Sequence, residues 1–228
     1  MLEQMTGYQC QNAKAFDPTQ TQQEPENVMT ESLPPDSLPP VLRTARLALR
    51  PFAGTDAANL LRVFADPEVV RYWSNGAWTG IAQAEAMIAE AQQAYRDGGL
   101  YRYAIALLDT DQLIGICNLR GFFEQNRRCE LGYALARDHW GQGYAAEALE
   151  ALLGHAFHEL DINRIEADID PRNEASARLL EKLGFRREGY MPERWIVHGE
   201  KADTAFYGLL RRYWNERESS RSSVHATG

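Results

Sequence analysis

The sequence predicts an α+β protein built on a mixed, mostly antiparallel sheet, and three observations predict it. Residues 101–136 read as a meander: apolar runs over 101–108, 112–122 and 129–136, separated by short polar turns. A single strand–glycine turn–helix unit follows over 129–160 and leads into one more strand, the pattern of one crossover. The remaining helices come before and after these strands instead of alternating with them.

In chain order, residues 1–40 hold six of the ten prolines, one lysine against six acids, and no sustained apolar period, so they read as a flexible acidic extension. The domain is expected over 41–212. Residues 44–52 alternate apolar and polar side chains up to Pro51 and make the first strand. Thr55 or Asp56 can cap a helix carrying Ala57, Leu60, Leu61 and Phe64, and Asp66-Pro67 reads as the start of a second, short one. An aromatic loop over 72–78 is followed by a longer helix, capped by Thr79 and ended by Gly98-Gly99. After the meander and crossover, the run 163–170 is a strand broken by Pro171. Asn173 can cap a helix that Gly184 closes. Residues 185–191 and 205–210 read as closing strands, the first stopped by Pro192. Residues 213–228, rich in Ser and Arg, read as a polar tail.

The loop Trp140-Gly141-Gln142-Gly143-Tyr144-Ala145-Ala146 carries the first chemical signal. Two glycines permit positive φ or a close approach to the backbone. The helix they introduce, with Leu149, Leu152, Leu153, Ala156, Phe157 and Leu160 on one face, opens with amides that lack internal partners and with the positive end of its dipole. Such a turn binds phosphate through its main chain. A tight turn that merely uses two glycines is the bland alternative.

At this point the chain resembles the GNAT superfamily of N-acetyltransferases, and within it the ribosomal-protein (RimJ/RimL-type) branch, over residues 43–210. The resemblance rests on Arg46-Leu47-Ala48-Leu49-Arg50-Pro51, on Glu130-Leu131-Gly132-Tyr133, on the glycine loop continued through Glu147-Ala148-Leu149, and on the run Asn173-Glu174-Ala175-Ser176-Ala177-Arg178-Leu179-Leu180-Glu181-Lys182-Leu183-Gly184-Phe185. It implies a sheet of about seven strands flanked by helices and splayed between the fourth and fifth. It implies acetyl-CoA as co-substrate, with the pyrophosphate on the main chain of Gly141, Gln142, Gly143, Tyr144, Ala145 and Ala146. The pantetheine arm would pair like an added strand with Tyr133, Ala134 and Leu135 of the fourth strand and meet the Asn173 side chain. The chain departs from the common pattern twice. Asp138 stands three residues before Gly141, where many members have Gln or Arg. Leu180 stands where many carry a thiolate-protonating tyrosine, and Ser176, one turn earlier, is the RimL-like substitute.

The reaction implied is direct acetyl transfer to a primary amine in a ternary complex. It needs a base, for which Glu130 is the candidate, with Asp168, Asp170 and His139 as alternatives; a solvated edge carboxylate paired with Arg127 or Arg128 is the other reading of Glu130. It needs a donor to the thioester carbonyl, for which the Leu135 N–H is expected, and a hydrogen bond to the departing sulfur, for which Ser176 is expected. Cys117 and Cys129 are then strand residues and not nucleophiles. Trp73, Trp78, Phe122 and Trp195 can line an acceptor groove or pack in the core. The acceptor itself, a protein N-terminal amine or a small amine such as an antibiotic, polyamine or amino acid, is not fixed by the scaffold.

Composition bounds the rest. The net charge of −8 is concentrated in the extension, and no basic stripe suggests nucleic acid. Three cysteines without a CxxC pair suit a reducing, cytoplasmic setting. No apolar run has membrane-spanning length, and no export signal is read at the N-terminus. His155 and His158 lack the company a metal site requires, so no metal is expected. A monomer or a homodimer fits equally. Two rivals remain. Gly141 to Ala146 also fits the G-x-G-x-x-A fingerprint of an NAD(P)-binding domain, with Asp168 or Asp170 lying beyond the loop. A non-catalytic acetyl-CoA-binding module is the other, kept alive by Leu180.

Overall fold

The computed structural model describes residues 38–97 and 101–225, with side chains except at 96–97 and 222–225. Most of the acidic extension lies outside the described residues, as do Gly98 and Gly99. Among the described residues there are eight strands: β1 (Leu42–Arg43), β2 (Leu47–Arg50), β3 (Tyr101–Leu107), β4 (Leu113–Phe123), β5 (Arg128–Leu135), β6 (Arg164–Ile169), β7 (Arg186–Val197) and β8 (Glu200–Leu210). Five α-helices accompany them: α1 (Ala57–Phe64), α2 (Ile81–Asp97), α3 (Tyr144–His158), α4 (Glu174–Lys182) and α5 (Arg211–His225).

The strands form one sheet in the order β1-β2-β3-β4-β5-β6-β8-β7, antiparallel except for the β5–β6 pair. The expected count of about seven becomes eight because a two-residue strand, β1, precedes the expected first strand. Thr44 donates its N–H to the Leu47 carbonyl and accepts the Leu47 N–H on its hydroxyl, making a turn that folds β1 back onto β2.

Strand alternation gives the sheet two apolar faces. On one, Leu47, Leu49, Ile105, Leu131 and Leu209 pack under Leu149, Leu152, Leu153 and Phe157 of α3, Leu180 of α4 and Trp214 of α5. On the other, Phe52, Ile116, Ala134 and Ala136 pack under Leu60 and Phe64 of α1 and Ile88 of α2.

Three sequence expectations are corrected. Asp66-Pro67 starts no helix: the Asp66 side chain accepts the Glu68 N–H and its carbonyl accepts from Val69, which closes a turn. Pro192 does not stop its strand, because β7 is an edge and its register with β8 shifts between Met191 and Trp195, where Glu193 takes φ +50°. The polar tail is helix α5, fixed by Trp214, which is 1% exposed and tilted on Phe157, and by Arg217 paired with Glu150 at 2.7 Å.

One feature of the sheet positions the site. β5 and β6 pair only at Arg128–Arg164, Cys129–Ile165 and Glu130–Glu166. Beyond Glu130 each strand keeps its outer neighbour, β4 through Leu135 and β8 through Ile169, so a gap opens between them.

Candidate active site

The walls of the gap follow from strand geometry. The Ala136 N–H donates to the Ile114 carbonyl at 2.8 Å. Residues of an antiparallel strand turn their main-chain groups alternately to one neighbour and the other. Ala134 and Gly132 therefore face β4, while Leu131, Tyr133 and Leu135 face the gap. This corrects one expectation: of Tyr133, Ala134 and Leu135, Ala134 is out of phase and pairs with Ile116. The Leu135 carbonyl accepts the Trp140 indole N–H at 2.7 Å, which pins the start of the glycine loop to the end of β5. The Leu135 N–H, the expected carbonyl donor, stays on the gap side.

The loop has the geometry its glycines allow. Gly141 has φ +73°, and Gly143, at φ +82°, is the N-cap of α3. The first bond of that helix runs from the Glu147 N–H to the Gly143 carbonyl, so the amides of Tyr144, Ala145 and Ala146 have no intrahelical acceptor. Arg46 braces the turn. It donates to the Gln142 carbonyl at 3.0 Å, lies 4.3 Å over the Tyr144 ring and pairs with Glu147 at 2.6 Å. Burial pushes the Glu147 carboxyl up, but hydrogen bonds from Thr44 and Arg46 outweigh it and hold the group below the usual range. The sequence gives no sign of this brace, because an arginine in the β1–β2 turn and a helix glutamate some hundred residues apart carry no local signal. Asp138 pairs with Arg62 of α1, which neutralises its charge beside the loop.

Across the gap, the Asn173 side chain accepts the Ser176 N–H at 3.1 Å, so its helix-capping role holds. The Ser176 hydroxyl lies 2.5 Å from that of Tyr133. Leu180 is fully buried and offers no donor.

Glu130 shares the opposite face of the sheet with Glu166, its aligned partner on β6, and with Asp168. Its carboxylate lies 3.3 Å from Arg120, directly across on β4, and the side chain is 41% exposed. Arg127 and Arg128, the partners expected from sequence, are turned instead to Asp161 and Glu166. Asp168 accepts the Trp195 indole N–H at 3.2 Å. Asp170 is committed to Arg172: burial pushes its carboxyl up, but the Arg172 bonds prevail and hold it low. His139 stands edge-on to Tyr144 at the loop, 5.8 Å away. Trp73 and Trp78 pack on Phe64, and Phe122 on Tyr101; of the four aromatics proposed for an acceptor groove, Trp195 is the exposed one.

Burial pushes the thiol of Cys117 up, and that of Cys129 up to about 12, so neither supplies a thiolate near neutral pH. Among the described residues, no group of three or more His, Cys, Asp or Glu side chains is placed to hold a metal ion. His158 pairs with Glu218 at 3.2 Å. No helix among the described residues is long and apolar enough to cross a membrane. The dinucleotide reading of Gly141–Ala146 fails on architecture, because that fingerprint belongs to a parallel, doubly wound sheet and only β5–β6 is parallel here.

Comparison with known proteins decides the family. The model of the acetyltransferase (GNAT) domain matches residues 46–186. The chain belongs to the GNAT acetyltransferases. This GNAT N-acetyltransferase is 37% identical over 171 residues to a Bacillus licheniformis protein named Uncharacterized N-acetyltransferase p20, covering 75% of this chain and 96% of that protein. It is 29% identical over 134 residues to the ribosomal protein uS5-alanine N-acetyltransferase of Escherichia coli strain K12, covering 57% of this chain and 68% of that one, which fits the RimJ/RimL-like branch. An acetyltransferase of the GNAT family from Bacillus anthracis superposes with a TM-score of 0.69 at 26% identity, over 75% of this chain and 99% of that one. The GNAT fold here is α+β, with eight strands in its sheet.

Proposed function

We propose that the gap between β5 and β6 holds acetyl-CoA and that the enzyme passes the acetyl group directly to a primary amine, with a protein N-terminal amine as the acceptor class. The observation that carries this reading is a main-chain slot that ends at a phosphate-competent helix start. Tyr133 and Leu135 offer strand-like hydrogen bonds to a pantetheine amide pair. The N–H groups from Gln142 to Ala146 meet the pyrophosphate.

With the diphosphate held there, the thioester lies along β5 near Glu130. Glu130 takes a proton from the incoming ammonium, through water, leaving a neutral nucleophile. The N–H of Leu131, whose main chain faces the gap beside Glu130, stabilises the oxygen of the tetrahedral intermediate. The Leu135 N–H, five residues and about 16 Å from Glu130 along β5, serves the pantetheine instead. Ser176 donates to the sulfur as the C–S bond breaks. Holding both substrates in one slot supplies the orientation term.

The likeness to the uS5-alanine enzyme supports an N-terminal acceptor. A second reading, a small cationic amine, rests on the carboxylates of Glu130, Glu166 and Asp168 on one sheet face, where the cation would have to compete with Arg120, Arg128 and Arg194 for them. Thiol release from acetyl-CoA, measured with alanine- and serine-initiated peptides beside polyamines, aminoglycosides and free amino acids, separates the two. A peptide kcat/KM at least tenfold above that of every small amine supports the first reading, and the reverse order supports the second. Absence of release with every amine overturns the direct-transfer scheme.

A further inference from the structure

We infer that the Tyr133 side chain is a positioning residue for the leaving group: its hydroxyl orients that of Ser176, which hydrogen-bonds the thiolate as it departs. The inference rests on the reading of the gap as the coenzyme A slot.

Tyr133 lies on β5, the near wall, with its main chain turned to the gap. Ser176 lies in the first turn of α4, the helix that continues the far wall, β6. The 2.5 Å contact between their hydroxyls therefore bridges the two walls where the pantetheine arm would thread. A serine hydroxyl has one proton and two lone pairs. If Ser176 accepts from Tyr133, its own proton must go elsewhere. The usual outlet for serine in a helix is a carbonyl three or four residues back. Here, among the described residues, the Ser176 hydroxyl bonds neither the Asn173 nor the Arg172 carbonyl, and Tyr133 is its partner. The gap is the remaining direction. Leu180, one turn further along α4, is aliphatic and buried and cannot take the role.

The phenol also stays a donor. Burial pushes its pKa up and the Ser176 hydrogen bond pulls it down, leaving it at about 12, so it is protonated through the whole assay range. In the transfer step the amine nitrogen bonds the thioester carbon, the C–S bond breaks, and its electron pair goes to sulfur. The thiolate receives hydrogen bonding from Ser176 and then, through water, the surplus proton of the nitrogen that has become an amide, while the proton Glu130 took from the ammonium returns to solvent. Tyr133 and Ser176 end as they began.

The test is a set of variants, Y133F, S176A, their double, and S176T alone and combined with Y133F. Y133F and S176A should each lower kcat about 10- to 100-fold, with KM for acetyl-CoA and the melting temperature close to wild type. The double variant should be no slower than S176A, because both act on one hydrogen bond. S176T should keep the rate when Tyr133 is present and lose it in the Y133F background. Full kcat in Y133F or in S176A overturns the inference, as do additive losses, or a loss confined to KM or to stability. An active wild type with a full-rate Y133F refutes this inference alone, whereas a wild type inert toward every amine refutes the slot reading and this inference with it. If Y133F does not fold, Y133L takes its place in every comparison, since S176A and S176T alone report on Ser176 and not on the tyrosine.

Discussion

Gly143 shows how one residue type serves two ends. At φ +82° an L side chain costs about 1–2 kcal/mol, and a Cβ there would also sit 3.4 Å from the bracing Arg46 guanidinium. Gly143→Val should lower the melting temperature by a few degrees and weaken acetyl-CoA roughly tenfold or more by calorimetry, since the strained turn can no longer present its amides together. Unchanged affinity would remove the loop from the binding site. Glu130 is a different case. Its half-exposed carboxylate is tied to Arg120 by a bond that water screens, so its worth lies in chemistry more than in stability. Glu130→Gln should keep the melting temperature within a degree or two, and should lower kcat/KM most on the acid side of the profile, where the free amine is scarcest. His155 carries the clearest pH signature. Burial lowers its pKa from the ordinary 6.5, Glu159 opposing only in part, and its Nε2 has no partner. The unfolded chain therefore protonates first. Stability is fully present above about pH 6.5 and falls as pH drops through and below that value. His155→Met should flatten the pH 5–7 limb of a denaturation series, and a limb of unchanged slope would assign the loss to other groups.

The elements most legible in the sequence are those whose local chemistry agrees with their packing. α4 is the clearest, with an asparagine cap, a buried face and a closing glycine at φ +97°. Asn173→Ala should cost about 1 kcal/mol of stability through the lost cap, and any fall in acetyl-CoA affinity beyond that would report the side chain's second role. α3 and the meander were equally plain, because alternation and helical spacing are periodic signals. α5 was hidden for the opposite reason. Its residues are mostly polar, and it is held by Trp214 in the core and by Arg217 on Glu150, contacts with residues far away in sequence. Trp214→Ala should cost about 3–5 kcal/mol, measured by denaturant unfolding. A cost under 1 kcal/mol would mean that the helix is dispensable to the domain.

At the scale of the whole molecule, the candidate site lies where two strands part. If the slot is the binding site, saturating acetyl-CoA at about a hundred times its Kd should stabilise the fold by about 2.7 kcal/mol, a rise of several degrees in melting temperature, and NADH should give none. An equal shift with both would contradict the geometry. The sequence by itself determined the fold class, the glycine turn, and the order of strands and helices from β3 through α4. Each of those is written in local spacing: period two, period three to four, a cap, a residue free to take positive φ. Only the tertiary structure decided that Ala134 faces β4 while its neighbours face the slot, that Glu130 meets Arg120 and not Arg127 or Arg128, that Arg46 braces the loop through Glu147, and that Tyr133 reaches Ser176. Register and partner choice arise from which strands lie side by side, and that depends on contacts across the whole sheet that no short stretch of sequence encodes.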